Sequence, residues 1–242
     1  MPQDTLDTHQ KALTLNLARR TYGTLAEIGA GQEVAAWFFW VGATSGTVAQ
    51  TVSAYDMTVS DESYGQVGRH VSKERLKRML ESEFALLVAR LREKRGGERT
   101  FFAFASTVST QNYFGTNIWH GWVGLRFQSA PGSKANTIVL HTHMRDSTNL
   151  LQQEALGILG INVIYGAFYL QEDLGDFLPA LLDDLSLQRI VSTLGIALRR
   201  REVPQSGLAE LTNVSSRSAI RHIFRYGIET GVLVSSPAPE RL

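Results

Sequence analysis

The sequence contains no cysteine among its 242 residues. This absence excludes disulfide bonds, a thiolate nucleophile and cysteine-ligated metal centres, and it is consistent with a reducing compartment. Long uncharged apolar runs are also missing, so we expect no membrane-spanning helix and no membrane partner. The first twenty residues carry charges and lack the apolar core of a signal peptide. We therefore expect a cytoplasmic protein.

The length and the apolar content of 43% suit one large domain, with or without a small appendage. Charge divides the chain unevenly, because residues 186–242 contain eight arginines and no lysine against four glutamates. This segment has a net charge of +4, whereas residues 1–185 have a net charge of −3. We predict a main domain over 1–185 and a basic helical tail over 186–242, and the charge difference suggests that the tail has its own partner.

Apolar spacing predicts an amphipathic helix over 73–94 and a long apolar helix over 149–170. Strand-forming residues predict strands over 100–109, 121–129 and 137–145, and a turn over 130–133 makes the last two antiparallel. The expected fold class is α/β or α+β. It combines a mixed sheet with antiparallel central strands, long apolar helices packed on that sheet, and a small helical C-terminal appendage.

Three glycines interrupt the long helix, and each costs about 1 kcal/mol of helix propensity relative to alanine. They are Gly157, Gly160 and Gly166. We expect a close contact with another helix or strand to compensate for this cost.

A glycine turn organises the chain, since residues 24–34 read as a buried strand, a turn and the start of an apolar helix. Backbone N–H groups at such a helix N-terminus can meet an anion. The predicted ligand-binding residues here are Glu27, Gly29, Gly31 and Gln32, and Glu33 is a catalytic candidate.

The turn resembles the first motif of S-adenosylmethionine methyltransferases, but Glu33 replaces the third glycine of that motif. A carboxylate at that position suits a sugar hydroxyl, an amine or a metal better than a pyrophosphate. Three interpretations follow: a ligand-contacting loop, a purely structural tight turn, or a true methyltransferase site. The sequence identifies no cofactor.

Histidines form a second candidate site. His141 and His143 are two residues apart on a predicted strand and therefore face the same side of the sheet, and His120 opens the neighbouring strand. Three imidazoles on one face could bind zinc. The alternative is that they are polar residues on the exposed face of alternating strands. His120 is also a catalytic candidate.

Further polar residues open the long helix and follow the second turn. Asn149 and Gln153 share a helix face as ligand-binding candidates, Glu154 is a catalytic candidate, and Asn149 could instead cap the helix. Tyr55 and Asp56 are ligand-binding candidates, with a solvated loop as the alternative. No Gly-x-Ser-x-Gly, Walker A or His-Glu-x-x-His motif is present, so the sequence names no reaction.

The tail resembles a helix-turn-helix over residues 208–226, with a short helix, a polar turn and a second helix. Arg217, Arg221 and Arg225 recur every four residues and would meet DNA phosphates or base edges. The alternative is an amphipathic hairpin packed on the main domain.

Residues of about 11–190 resemble a family of uncharacterised bacterial proteins. Four segments carry the resemblance: YGTLAEIGAGQEV at 22–34, SAYDMTVSD at 53–61, HGW at 120–122 and LQQEALG at 151–157. Members of that family carry the labels TonB-dependent receptor and nicotinamide-nucleotide adenylyltransferase. The first label does not fit a chain of this length, and no His-x-Gly-His motif supports the second.

The leading hypothesis is a protein with a polar small-ligand site that favours a nucleotide-like molecule, with enzymatic activity left open. The first alternative is a DNA-binding regulator that acts through its tail. The second alternative is a structural or interaction protein. The sequence does not identify an oligomeric state.

Overall fold

The computed structural model describes residues 6–95, 97–186, 188–197, 225–229 and 232–236. Within these ranges the helices are α1 (Thr8–Ala18), α2 (Glu33–Trp40), α3 (Met57–Tyr64), α4 (Lys73–Arg95), α5 (Asn149–Tyr169) and α6 (Leu174–Ala180). The strands are β1 (Thr21–Ile28), β2 (Val48–Val52), β3 (Thr100–Ser109), β4 (His120–Phe127), β5 (Asn136–Met144), β6 (Ile190–Ala197), β7 (Arg225–Glu229) and β8 (Val232–Ser236).

The described strands form one mixed sheet in the order β2-β1-β3-β4-β5-β6-β8-β7. Strand β1 runs parallel to both β2 and β3, and each of the remaining pairs is antiparallel. The predicted α/β class is therefore confirmed, including the antiparallel pairing of β4 with β5. The helix expected over 73–94 is α4, and the Oγ of Ser72 caps it by accepting the N–H of Arg75.

Helices cover both faces of the sheet, because alternate strand residues point to opposite sides. Leu25 belongs to a core cluster shared with α1, α2 and α5, whereas Ala26 packs on the other face with residues of α4. Helix α2 is only partly buried: Phe39 and Trp40 near its C-terminus are 55% and 63% exposed.

The glycines of α5 allow close packing, as predicted. A Cβ on Gly157 would lie 2.7 Å from the Cβ of Glu33, and one on Gly160 would overlap the side chain of Val34, so both glycines admit α2. Gly166 meets the ring of Phe177 in α6 in the same way. Contact with neighbouring helices thus offsets the lost helix propensity.

The helical character expected after residue 185 is wrong for the described part of that segment. Residues 190–197 form β6, which pairs with β5, and Arg225–Glu229 and Val232–Ser236 form the antiparallel pair of β7 and β8. Arg225, expected on a recognition helix, lies in β7. Arg217 and Arg221 lie outside the described residues.

None of the described helices combines the length and the apolar character needed to cross a bilayer.

Candidate functional site

The carboxyl ends of β1 and β3 form the edge of the sheet at which the candidate residues gather. The connection from β1 to β2 runs through α2 on one face, and the connection from β2 to β3 runs through α4 on the other. Since β2 and β3 flank β1 on opposite sides, the order in which strands are added to the sheet reverses at β1. Crevices at such a switch point are where open α/β sheets bind ligands. We call this region the carboxyl edge.

The glycine turn packs tightly at this edge. Gly29 has φ +93°, and a Cβ there would overlap the backbone oxygen of Val108 at the end of β3. Gly31 has φ +59°, and a Cβ there would lie 2.8 Å from Oε1 of Gln153 in α5. The structure therefore explains why both positions are glycine, since positive φ and lack of space each disfavour a side chain.

Glu27 occupies the helix N-terminus that we expected to meet an anion. Its carboxylate is only 4% exposed and accepts the backbone N–H groups of Val34 at 3.2 Å and Ala35 at 3.0 Å. Burial raises its pKa to about 7, although both hydrogen bonds act in the opposite direction. Glu27 is therefore an internal cap of α2, and its carboxylate occupies the N–H groups that we expected a ligand to meet.

The turn and the start of α2 both pack against α5. Glu33 is the half-buried first residue of α2 and contacts α5 at Gly157, while Gln153 lies against Gly31. Gln32 precedes them as the exposed N-cap of α2 and makes no side-chain capping bond. A carboxylate and two amides therefore line this side of the carboxyl edge.

Two other candidates at the start of α5 differ from expectation. Thr148, not Asn149, caps the helix, because its Oγ1 accepts the N–H of Leu151. Asn149 is exposed. The carboxylate of Glu154 binds Arg189 at 3.1 Å, and Arg189 also binds Asp146 at 2.9 Å. Glu154 is thus held in an ion-pair network.

The histidines lie on the opposite face, on the side of α4. The pairing of β4 with β5 places His120 opposite His143 and Trp122 opposite His141. His120 Nδ1 is 3.1 Å from His141 Nε2, and the ring centroids of His141 and His143 are 4.7 Å apart. Trp122 stacks on His141 with centroids 4.4 Å apart. The expectation that the three imidazoles share one face is thus reproduced by the strand register.

The predicted metal site is not formed. Among the described residues, no group of three histidine, cysteine or carboxylate side chains is arranged to hold an ion. The ring nitrogens of His120 and His141 point at each other at hydrogen-bond distance instead of converging on a third point. Burial, followed by the charge of His143, lowers the pKa of both rings, that of His141 to about 4.

Of the two candidates after β2, one caps a helix and the other is largely exposed. Asp56 caps α3, since its Oδ1 accepts the N–H groups of Thr58 at 2.9 Å and Val59 at 3.1 Å. Tyr55 is 74% exposed and follows β2 at the same end of the sheet.

Sequence reasoning missed His70 and Arg75, which bind Asp61 on the face of the sheet that carries α4. Asp61 accepts hydrogen bonds from His70 at 3.1 Å and from Arg75, a fully buried residue of α4. The backbone oxygen of His70 in turn accepts a 2.7 Å hydrogen bond from Thr107 of β3. No motif in the sequence marks His70 or Arg75, because their hydrogen bonds to Asp61 form between elements that only the fold brings together.

No family model and no curated protein matches the chain. Solved structures resemble it at low identity. The competence/damage inducible protein CihA from Agrobacterium tumefaciens is 16% identical, with 69% of this chain and 99% of that chain covered and a TM-score of 0.46. The competence damage-inducible protein A (ComA) from Klebsiella pneumoniae is 15% identical, with 66% and 96% covered and a TM-score of 0.48.

A CinA superfamily protein from Enterobacter cloacae is 14% identical, with 68% of this chain and 94% of that chain covered and a TM-score of 0.47. The predicted family resemblance is therefore wrong: these three structures are described as competence/damage-inducible or competence-damaged (CinA) superfamily proteins, not by the receptor or adenylyltransferase label.

Proposed function

We propose that this protein binds a small polar ligand of nucleotide-like chemistry at the carboxyl edge and acts on it as an enzyme. The supporting observation is that Gln153 lies against Gly31 of the glycine turn and Glu33 lies against Gly157, one turn further along α5, at the switch point between β1 and β3. A carboxylate beside an amide accepts and donates hydrogen bonds to vicinal hydroxyls or an exocyclic amine, which are the polar groups of a nucleoside.

Glu33 and His120 are the residues that we propose for proton transfer. They lie on opposite faces of the sheet but at the same edge, Glu33 after β1 and His120 at the start of β4, and in this proposal one ligand spans that edge. A neutral imidazole accepts a proton at neutral pH, and the lowered pKa of His120, caused mainly by burial, keeps that ring neutral. Glu27, which is buried and bonded to α2, supports the turn and takes no part in this chemistry.

A thermal-shift screen against nucleosides, nucleotides and sugars tests ligand binding. A ligand at one hundred times its Kd stabilises the native state by about 2.7 kcal/mol and raises the Tm accordingly. We expect the shift to disappear in Glu33→Gln and in Gln153→Ala. The matched control is Glu81→Gln, which neutralises an exposed carboxylate on α4 and should keep the full shift. A flat screen, or a shift that both site variants retain, would overturn the proposal.

A further inference from the structure

The histidine cluster brings several basic side chains together on one face of the sheet. We define the cluster as Arg69, His120, His141 and His143. The charged neighbours that lower the pKa of His120 are His143 and Arg69, and those that lower the pKa of His141 are His143 and His120, in each case after burial. Every one of these neighbours is basic.

Geometry places Arg69 beside the imidazoles. Thr107 binds the backbone oxygen of His70 at 2.7 Å, and Thr107 is the β3 partner of Trp122, the residue that stacks on His141. The segment containing Arg69 therefore crosses the sheet at the level of the cluster. Arg69 itself is exposed, so its guanidinium is accessible to a ligand.

The carboxylate near the cluster is already engaged. Asp61 binds both His70 and the buried Arg75. From β6, the residues paired with His141 and His143 are Thr193 and Val191, neither of which carries a charge. On β3 the residues paired with His120 and Trp122 are Ser109 and Thr107, which are also neutral. Arg69 therefore brings a positive charge to the cluster, and the nearby carboxylate of Asp61 already has two partners.

The hydrogen-bonded pair of imidazoles also provides a hydrogen-bond donor for a ligand. When two neutral rings share one hydrogen bond, one of the two outer nitrogens carries a proton and the other does not. The pair of His120 and His141 thus offers one outward N–H group, and Arg69 offers up to five guanidinium N–H groups. Guanidinium donors match the oxygens of a phosphate group in a bidentate geometry.

We propose that the histidine cluster is a phosphate-binding site. A phosphate group would pair with the positive charge of Arg69 and accept the outward donors. It cannot bind instead at the N-terminus of α2, because the carboxylate of Glu27 already occupies those N–H groups. The phosphate is either that of a nucleotide whose polar remainder contacts Glu33 and Gln153 or free inorganic phosphate. The first source rests on the proposed function, whereas phosphate binding itself does not.

Calorimetric titration of the full chain with inorganic phosphate, monitored in parallel by the imidazole signals in NMR spectra, tests the site. We expect saturable binding that shifts the signals of His120, His141 and His143. Arg69→Gln should weaken it by about tenfold, equivalent to about 1.4 kcal/mol. His143→Gln should weaken it by several-fold. Both residues are exposed, so these variants should fold normally. Arg92→Gln, which removes an exposed arginine at the far end of α4, should bind as the unmodified protein does.

The proposal would be overturned if no saturable binding were seen at millimolar phosphate. It would also be overturned if Arg69→Gln and His143→Gln bound phosphate as tightly as the unmodified protein does. Titration with adenosine monophosphate and with adenosine separates the two sources. If adenosine monophosphate binds more tightly than phosphate, and Glu33→Gln weakens binding of the monophosphate, the phosphate is assigned to a nucleotide. Phosphate binding that is lost in Arg69→Gln, together with no binding of either adenosine compound, supports free phosphate and argues against the proposed function alone.

Discussion

The Oε1 atom of Glu27 accepts a 3.0 Å hydrogen bond from the backbone N–H of Ala35, eight residues later in the chain. This bond joins β1 to the first turn of α2 and closes the glycine turn between them. A buried carboxylate at a helix N-terminus is subject to two opposing effects: loss of hydration raises its pKa, and the N–H donors lower it. Burial is the larger effect, so the pKa rises from 4.5 to about 7.

Glu27 should make stability fall as the pH rises. Between pH 4.5 and about 7 the unfolded chain releases the proton of this carboxyl while the folded chain retains it. The free energy of unfolding therefore decreases across this window, by about 3 kcal/mol in total. Urea unfolding at a series of pH values should show that Glu27→Gln lacks this decrease. Glu81→Gln serves as the control, and parallel curves for Glu27→Gln and the unmodified protein would contradict the assignment.

His141 should stay neutral well below neutral pH. Burial, and then the charges of His143 and His120, lower its pKa from 6.5 to about 4. Because the unfolded chain takes up this proton first, the histidine costs stability as the pH falls from 6.5 towards 4. An NMR titration of the ring should give a midpoint near 4, and His141→Gln should lose the corresponding part of the pH dependence. A midpoint near 6.5 would show that the ring is not buried as described.

Gly160→Ala should destabilise the protein although alanine favours helices. The added methyl group would overlap the side chain of Val34 and approach the ring of Phe104, so α2 and α5 would have to separate. Overpacking of this kind costs about 1 to 3 kcal/mol, which exceeds the gain in helix propensity. Urea unfolding measures the loss.

A second substitution tests the cause of that loss. Adding Val34→Ala to Gly160→Ala should recover part of the stability, because it removes the atoms that clash. Gly68→Ala is the control, since a Cβ at Gly68 meets no neighbouring atom. Additive effects of the two substitutions would show that the helices do not meet at this point.

Lys11→Met should cost about 3 kcal/mol, because it breaks a buried ion pair on one side only. Lys11 is 1% exposed, and its Nζ donates to Asn162 at 2.7 Å and to Asp183 at 2.6 Å. This network ties α1 to α5 and to the segment after α6. Combining Lys11→Met with Asp183→Asn should recover part of the loss, as measured by urea unfolding. A neutral single variant would mean that α1 contributes little to the core.

Local patterns in the sequence were sufficient for several elements. The period of apolar residues located α4, and alternation with a turn paired β4 with β5. The same alternation placed His120, His141 and His143 on one face. The glycines of α5 indicated a close helix contact, although not its partner. These features depend on interactions between residues that are near in the chain, and their periods are visible without a structure.

Tertiary packing decided what those residues do. Whether the N-terminus of α2 is open to an anion depends on the rotamer of Glu27, which lies on another element. Whether three imidazoles bind a metal or each other depends on distances of a few tenths of an ångström between strands.

The placement of Glu33 and His120 on opposite faces of one edge likewise follows from the crossover directions of α2 and α4. By itself the sequence determined the main helices and central strands before residue 185, the class of fold and the residues worth testing. The three-dimensional arrangement decided their pairing, because electrostatic and packing energies depend on the separation of groups that the chain brings together from distant positions.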